Sequence, residues 1–282
     1  MERQMRAAAI HDISCFGKCS LTVALPILSA TGAECVCLPT AVLSTHTGGF
    51  TGYTYRDLTE DMLPIARHWQ TLDLGFDALY TGYLGSREQI ALVLELFEML
   101  SGPDTLRLVD PVMADHGSLY PGFDSDFPAQ MKTLCAAADV VIPNLTEACL
   151  MLGLPYREGT FDRSYVDEIL SGLTELGAKK AILTGVYFDD KQLGAACRDG
   201  GRTDYVFADR VEGQYHGTGD VWGSALLAGL LRGRTLTESA QAACDYTAAC
   251  VELTRQSRTD MRFGVRFESA LPGLMRALGC LD

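Results

Sequence analysis

The chain has no apolar run approaching the ~18 residues that a membrane-spanning helix needs. Ala7 to Ile10 is too short for the apolar core of a signal peptide and leads straight into a polar loop, so a cytoplasmic protein without a membrane partner is expected. Basic residues are scarce: 23 Lys and Arg against 36 Asp and Glu give a formal net charge of −13. Phosphate backbones reward clustered cations, so this balance argues against a nucleic-acid partner while leaving room for a nucleotide in a local pocket. Ten cysteines are present, but none forms a C-x-x-C pair and most lie in apolar segments. A zinc or disulfide framework is therefore poorly supported, and reduced, mostly buried thiols are expected. Cys15 and Cys19 are the exceptions, two thiols in a candidate ligand loop that could be reactive. No break rich in Pro, Gly or Ser divides the sequence and no repeat is visible, so residues 1–282 read as a single domain.

What is present is an alternation of short apolar runs and amphipathic stretches. Met5 to Ile10 reads as a strand, Leu21 to Ala30 as a helix and Glu34 to Leu38 as a strand, the parallel-sheet unit with a crossover helix. Residues 39–57 are dense in hydroxyls and glycines without stable periodicity, and read as a long functional loop or flap. Leu58 to Leu72 is the next helix, with Pro64 bending it or marking its start. Strands are expected at Ala78 to Thr81, Thr105 to Val109, Asp139 to Asn144 and Lys180 to Thr184. Helices are expected at Arg87 to Leu100, capped by Ser86 with Gln89 three residues on, and at Pro128 to Ala138, Leu145 to Leu152 and Arg163 to Leu176. Gln192 to Gly213 reads as an antiparallel hairpin, followed by apolar helices at Val221 to Leu231 and Leu236 to about Thr254. The fold class is α/β, about seven to nine strands in one sheet. Polar residues recur where strands end, at Asp12, His46, Gly82–Tyr83, Asp110, Asn144 and Thr184, and open parallel sheets bind ligands at those ends.

The most informative stretch is His216-Gly217-Thr218-Gly219-Asp220. Gly217 and Gly219 permit tight backbone turns, Thr218 offers a hydroxyl, and Asp220 opens an apolar helix whose first N–H groups are free to meet an anion. Phosphoryl transfer needs both services, since charge spreads over equatorial oxygens while a nucleophile loses its proton. Read alone, the glycines are equally a flexible turn and Asp220 an N-cap. Asp110 before Pro111 is equally a turn former, His46 a hydrogen-bonded loop histidine, Tyr83 a packing residue, and Asn144 with Glu147 a helix-start signature. Lys18 reads as a solvated loop lysine.

Taken in order, Leu43-Ser-Thr-His46-Thr47, Gly82-Tyr83-Leu-Gly-Ser86, Asp110-Pro-Val-Met-Ala-Asp115, Pro143-Asn144-Leu-Thr-Glu147 and Gly217-Thr-Gly-Asp220 span nearly the whole chain. Together they resemble the ribokinase-like superfamily, and within it the pyridoxal (vitamin B6) kinases. The resemblance implies a three-layer αβα sandwich with a mostly parallel sheet and a small antiparallel edge. It also implies ATP-dependent phosphorylation of the 5′-hydroxymethyl group of pyridoxal, pyridoxamine or pyridoxine by direct in-line transfer, with Mg²⁺ and, as is often so in that family, a monovalent cation such as K⁺, in a homodimer. By that resemblance Asp220 matches the catalytic base and the backbone of Gly217, Thr218 and Gly219 the anion hole. Asp110, Asp115 and Glu147 match carboxylates that hold metal and phosphate partly through water, and Asn144 and Thr184 match residues near the ATP phosphates. Asp12, His46, Thr47 and Tyr83 match the substrate pocket.

Three departures stand out. Asp12 replaces the serine usual near the substrate, and a carboxylate there suits a protonated ring nitrogen, a phenolic hydroxyl or an amine-bearing substrate. The first loop reads Ser14-Cys15-Phe16-Gly17-Lys18-Cys19 instead of the common small-residue pattern. Ala114 stands where glycine is common, which requires only an ordinary backbone conformation there. The nearest rival is a hydroxymethylpyrimidine kinase of thiamin synthesis, against which His46-Thr47 and the Gly82 to Ser86 motif favour the pyridine branch. The rival from another class is a catalytically silent B6-binding protein.

Overall fold

Apolar residues on successive positions of the first strand, β1 (Arg6–Ser14), enter two different cores: Ala7 and Ala9 one, Ala8 and Ile10 the other. That alternation marks a strand covered on both faces. The computed structural model describes residues 3–159 and 162–281. After β1 come α1 (Leu21–Ala30), β2 (Glu34–Leu43), β3 (Tyr55–Asp57), α2 (Thr59–Thr71), β4 (Phe76–Thr81), α3 (Arg87–Leu100) and β5 (Ser101–Val109). A short hairpin, β6 (Ala114–Asp115) and β7 (Ser118–Leu119), precedes α4 (Phe127–Ala136), β8 (Val140–Val141), α5 (Leu145–Leu152) and α6 (Arg163–Glu175). The remainder is β9 (Lys180–Val186), β10 (Gln192–Asp199), β11 (Arg202–Asp209), α7 (Thr218–Leu231), α8 (Leu236–Ser257) and α9 (Phe267–Ala277).

Nine strands form the main sheet in the order β11-β10-β9-β8-β5-β4-β1-β2-β3. From β9 to β2 all neighbours are parallel, while β10 and β11 at one edge and β3 at the other are antiparallel. Helices α2 to α6 pack into the core on one face, and α1, α7, α8 and α9 into the core on the other. This is the expected three-layer αβα sandwich. Among the described residues no helix is long and apolar enough to cross a membrane.

Several expectations need correction. β2 continues to Leu43 and pairs with β3 through Ala41–Asp57 and Leu43–Tyr55, so the ends of the 39–57 stretch are sheet edge and only its middle is loop. Hydroxyl-rich sequence concealed a strand whose partner is three exposed residues. Helix α2 begins five residues before Pro64, which therefore lies inside it. The strand expected over 139–144 is reduced to Val140–Val141 with an isolated bridge from Asn144 to Thr184. Ala114 lies in a strand, in the ordinary conformation that a non-glycine needs.

The chain passes from β1 to β2 on one side and then places β4 on β1's other side. Strand order therefore reverses at β1 and β4, the kind of switch point at which open α/β sheets form a ligand crevice. The β1–β2 register slips between His11 and Ile13. A bulge of this kind re-aims side chains, and Asp12 is the residue at that point.

Candidate active site

The glycine turn differs from its simplest reading in one respect. Gly217 has φ +79° and is the N-cap of α7, without a side-chain cap hydrogen bond. A Cβ there would lie 2.2 Å from the Lys18 carbonyl oxygen. Gly219 instead lies within the first helical turn, where an added Cβ meets nothing within 4 Å. Asp220 is the third helical residue and not the cap, so its carboxylate is not spent on the helix end. The N–H groups of this first turn lack intrahelical acceptors, and Gly219 among these residues is exposed. Behind them Val221 to Gly229 are all buried, which fixes the turn to the core. Trp222 donates from Nε1 to Cys244 Sγ at 3.4 Å and belongs to that core.

Burial raises the Asp220 carboxyl to about 7, the Ser20 N–H that faces it draws it down, and Asp12 adds to the rise. Asp12 itself is 3% exposed. Its two oxygens accept from Ser14 Oγ at 3.0 Å and Ser20 Oγ at 2.5 Å, and burial raises its pKa in spite of both. Ser20 thus serves both carboxylates, one through its amide and one through its hydroxyl. It does so from φ 58°, ψ −131°, a conformation that costs a non-glycine residue about 1–3 kcal/mol. Lys18 also has positive φ, 53°, and its Nζ pairs with Glu268 Oε2 at 2.9 Å. Sequence reading missed Ser20, because a serine before a helix signals a cap and says nothing of φ. Cys19, expected as a reactive candidate, is the opposite: burial, then Asp220 and Asp12, push its thiol well up, and the thiolate is the reactive form. All ten cysteines are free.

Asp110, at the end of β5, and Glu147, on α5, are buried acids beside each other, 7% and 2% exposed. Burial, then Glu147 and Asp220, raise Asp110 well above the carboxylate range. Burial raises Glu147 to about 8, against three backbone N–H groups that draw it down. Glu147 accepts from Asn144 N at 2.9 Å and Met113 N at 3.1 Å. Asn144 returns the bond from Glu147 N to its Oδ1, completing a capping box, and donates from Nδ2 to Ala114 O at 2.8 Å. The helix-start reading of this pair is therefore real, and both polar atoms of the Asn144 side chain are engaged within the protein. Thr184 pairs with Asn144 across the strand ends and donates to Pro143 O. Asp115 is more exposed, with His116 Nε2 at 3.6 Å. Thr146, which the sequence reading passed over, accepts from Gly117 N at 3.0 Å and ties the β6–β7 turn to α5. Among the described residues no three His, Cys, Asp or Glu side chains are arranged to hold a metal ion directly.

His46 is 7% exposed. Its Nδ1 accepts from Gly48 N at 3.1 Å, so Nε2 carries the proton donated to Arg262 O at 2.6 Å. Both nitrogens of a neutral ring are thereby used, and burial lowers its pKa. The ring lies 5.0 Å from His216 of the glycine turn and 4.9 Å from Phe50. The 44–50 loop is thus fastened to the turn that holds Asp220. Thr47 is exposed in the same loop. Tyr83 is half-buried, 5.7 Å from Phe123. Burial, then Tyr55, Asp12 and Tyr53, raise its phenol, which brings it to the Asp12 side of the crevice. A separate cavity of about 540 Å³ follows the chain entering the turn, lined by Asp209 to Glu212 and by Glu252 and Arg255 of α8.

The phosphomethylpyrimidine kinase family model matches residues 25–264. The hydroxymethylpyrimidine/phosphomethylpyrimidine kinase of Streptomyces coelicolor is 28% identical over 181 residues, 64% of this chain and 64% of that relative's length. A candidate phosphomethylpyrimidine kinase from Bacteroides thetaiotaomicron has a TM-score of 0.92 at 36% identity, covering 97% of this chain and 94% of that one. Its other crystal form was obtained with pyridoxal. Pyridoxal kinase from Lactobacillus plantarum has a TM-score of 0.88, also at 36% identity, covering 96% of this chain and 97% of that one. Motifs expected to favour the pyridine branch therefore occur in a chain that the pyrimidine family model matches, and they do not separate the two. The chain belongs to the phosphomethylpyrimidine kinase family of ribokinase-like kinases, related to hydroxymethylpyrimidine and pyridoxal kinases alike.

Proposed function

We propose that this chain transfers the terminal phosphoryl group of ATP to the hydroxymethyl group of a six-membered nitrogen heterocycle. The observation that carries the reading is Asp220, an acid set at about 7 and not consumed as a cap, beside the free amides of the first turn of α7. Asp220 takes the hydroxyl proton as the oxygen bonds to the γ-phosphorus. The β–γ bridging bond breaks and ADP leaves. The amides following Gly217 receive charge on the transferring group. Mg²⁺, when bound, supplies charge neutralisation on the phosphates. The donor set fits it: Asp110 and Asp115 offer hard carboxylate oxygens, and Glu147 stands behind Asp110 as a second buried acid whose repulsion a cation would relieve. Asn144 and Thr184 shape the phosphate side.

On the substrate side, Asp12 with its two serine hydroxyls, Tyr83 and the 44–50 loop form the pocket. A carboxylate in this place accepts from an exocyclic ring amine, which hydroxymethylpyrimidine bears, and the family model and the Streptomyces relative support the pyrimidine reading. Pyridoxal is the second reading, supported by the pyridoxal form of the Bacteroides structure. The homodimer belongs to the same proposal and is tested by sedimentation. The deciding experiment is ADP release with Mg²⁺-ATP and, in turn, hydroxymethylpyrimidine, pyridoxal and pyridoxamine. Turnover of a ring hydroxymethyl substrate is expected. Asp220→Asn should lower it by about 10²–10⁴ with KM for ATP kept. Binding without turnover of any substrate would make the protein a silent binder, and a fully active Asp220→Asn would remove the base.

A further inference from the structure

His11, next to Asp12 on β1, is fully buried, and neither ring nitrogen has a hydrogen-bond partner among the described residues. Nδ1 is 3.9 Å from Asp220 Oδ1. The ring has little freedom: it stands edge-on to Tyr80 at 4.4 Å, and a Cβ on Gly82 would lie 2.2 Å from Nδ1. Glycine at 82 therefore makes the room that this orientation needs. A separation of 3.9 Å is too long for a hydrogen bond, but rotation of the Asp220 carboxylate can close it while the imidazole stays in place. An unpartnered buried donor weakens a fold, so packing is a poor reason for histidine here. Leucine would fill much the same volume without that penalty.

We propose that His11 is a positioning residue for Asp220: its Nδ1–H donates to the carboxylate as that carboxylate turns toward the substrate hydroxyl, holding one oxygen so that the other meets the proton. The role rests on Asp220 being the base. The other titratable groups that face Asp220 are Asp12 on β1, Asp110 after β5, Tyr80 on β4, Tyr120 after the hairpin and Cys19 in the first loop. None of these is a cation, and the two carboxyls oppose ionisation of Asp220. The Ser20 amide and His11 are thus neutral donors against that repulsion. Burial holds the imidazole pKa at about 3, so it remains uncharged wherever the enzyme would work.

The test follows the Asp220 carboxyl by ¹³C NMR in wild type, His11→Leu and His11→Asn, and the wild-type imidazole nitrogens by ¹⁵N NMR, all with ADP and the ring substrate bound. His11 is expected to stay neutral with its proton on Nδ1 across about pH 5–9. His11→Leu should raise the Asp220 titration and the acid limb of kcat by about one pH unit. It should lower kcat about tenfold while KM for ATP holds. His11→Asn, with an amide N–H in the place of Nδ1, should recover most of both. A proton on Nε2, or a folded His11→Leu with unmoved titration and kcat, overturns the proposal. If His11→Leu fails to fold, the wild-type tautomer and His11→Asn decide. Full activity in Asp220→Asn would overturn the base, and the positioning role with it. An inactive Asp220→Asn together with an unmoved Asp220 titration in His11→Leu would overturn the positioning role alone.

Discussion

A single methyl group at Gly217 should do more damage than its size suggests, and the same methyl at Gly219 should act in another way. At 217 the backbone is left-handed, φ +79°, which costs a non-glycine residue about 1–2 kcal/mol. The new Cβ would also stand 2.2 Å from the Lys18 carbonyl oxygen, so one chain must retreat by about 1 Å, at about 1–3 kcal/mol for overpacking. Together these predict a loss of about 2–5 kcal/mol, or roughly 3–9 °C in Tm for a chain of this size. The Lys18 carbonyl is two residues from Ser20, whose amide faces Asp220 and whose hydroxyl holds Asp12. Displacing that loop moves base and substrate carboxylate together, and misplacement by about 1 Å costs about 10²-fold in rate. At 219 the backbone is helical and the Cβ meets nothing. Gly219→Ala should leave Tm unchanged or raise it, since alanine is favoured over glycine in helices by about 1 kcal/mol. Its methyl would stand over the free amides, so KM for ATP should rise about tenfold. Thermal unfolding and steady-state ADP release measure both variants. Wild-type Tm and kcat in Gly217→Ala would refute the coupling of turn to loop, and wild-type kinetics in Gly219→Ala would refute the anion site.

The ligand-free protein should lose stability as pH rises from about 5 to 8. Burial holds Glu147 at about 8 and Asp220 at about 7. Their stabilising contribution is therefore fully present below the unfolded carboxyl values and is lost as pH passes through 7 and 8, by at most about 5 kcal/mol for Glu147. Differential scanning fluorimetry would show Tm falling over this window, with Mg²⁺-ATP restoring it at the alkaline end; a flat or rising Tm would contradict the reading. Ser20→Ala removes one of two hydroxyls on Asp12 and leaves the amide that faces Asp220. KM for the ring substrate should rise about tenfold, with KM for ATP unchanged. A change in ATP binding alone would place Ser20 on the wrong side of the site.

The parts of the fold that were legible in sequence are those governed by local chemistry. Helix α3 runs from Arg87 to Leu100 as its apolar spacing requires, and Ser86 accepts from Gln89 N at 3.2 Å as its cap. Asn144 and Glu147 announce α5 by the capping box they form. What stayed hidden depends on partners distant in sequence. β3 exists because Leu43 is there to pair with Tyr55, and its own three residues carry no signal. His11 reads only as the polar residue that follows the Met5 to Ile10 run, and the fold is what brings Asp220 to 3.9 Å from it. His46 was legible as a polar loop residue, but its use of both ring nitrogens to fasten Gly48 and Arg262 depends on a residue over two hundred positions away.

The acids that gather at the strand ends give the site its character. Asp12, Asp110, Glu147 and Asp220 are all drawn above their ordinary pKa values, and burial is the first cause for each. A cluster of buried acids is a poor way to stabilise a fold, and here it is held by backbone amides, serine hydroxyls and a strained Ser20. The same burial brings Asp220 to about 7, where a base is both substantially ionised at neutral pH and strong enough to take an alcohol's proton in the transition state. An isolated aspartate near its ordinary value would be ionised but a weaker base. The loss of solvation that destabilises the ligand-free protein is thus the main source of the basicity that phosphoryl transfer uses, with the Asp12 charge adding to it.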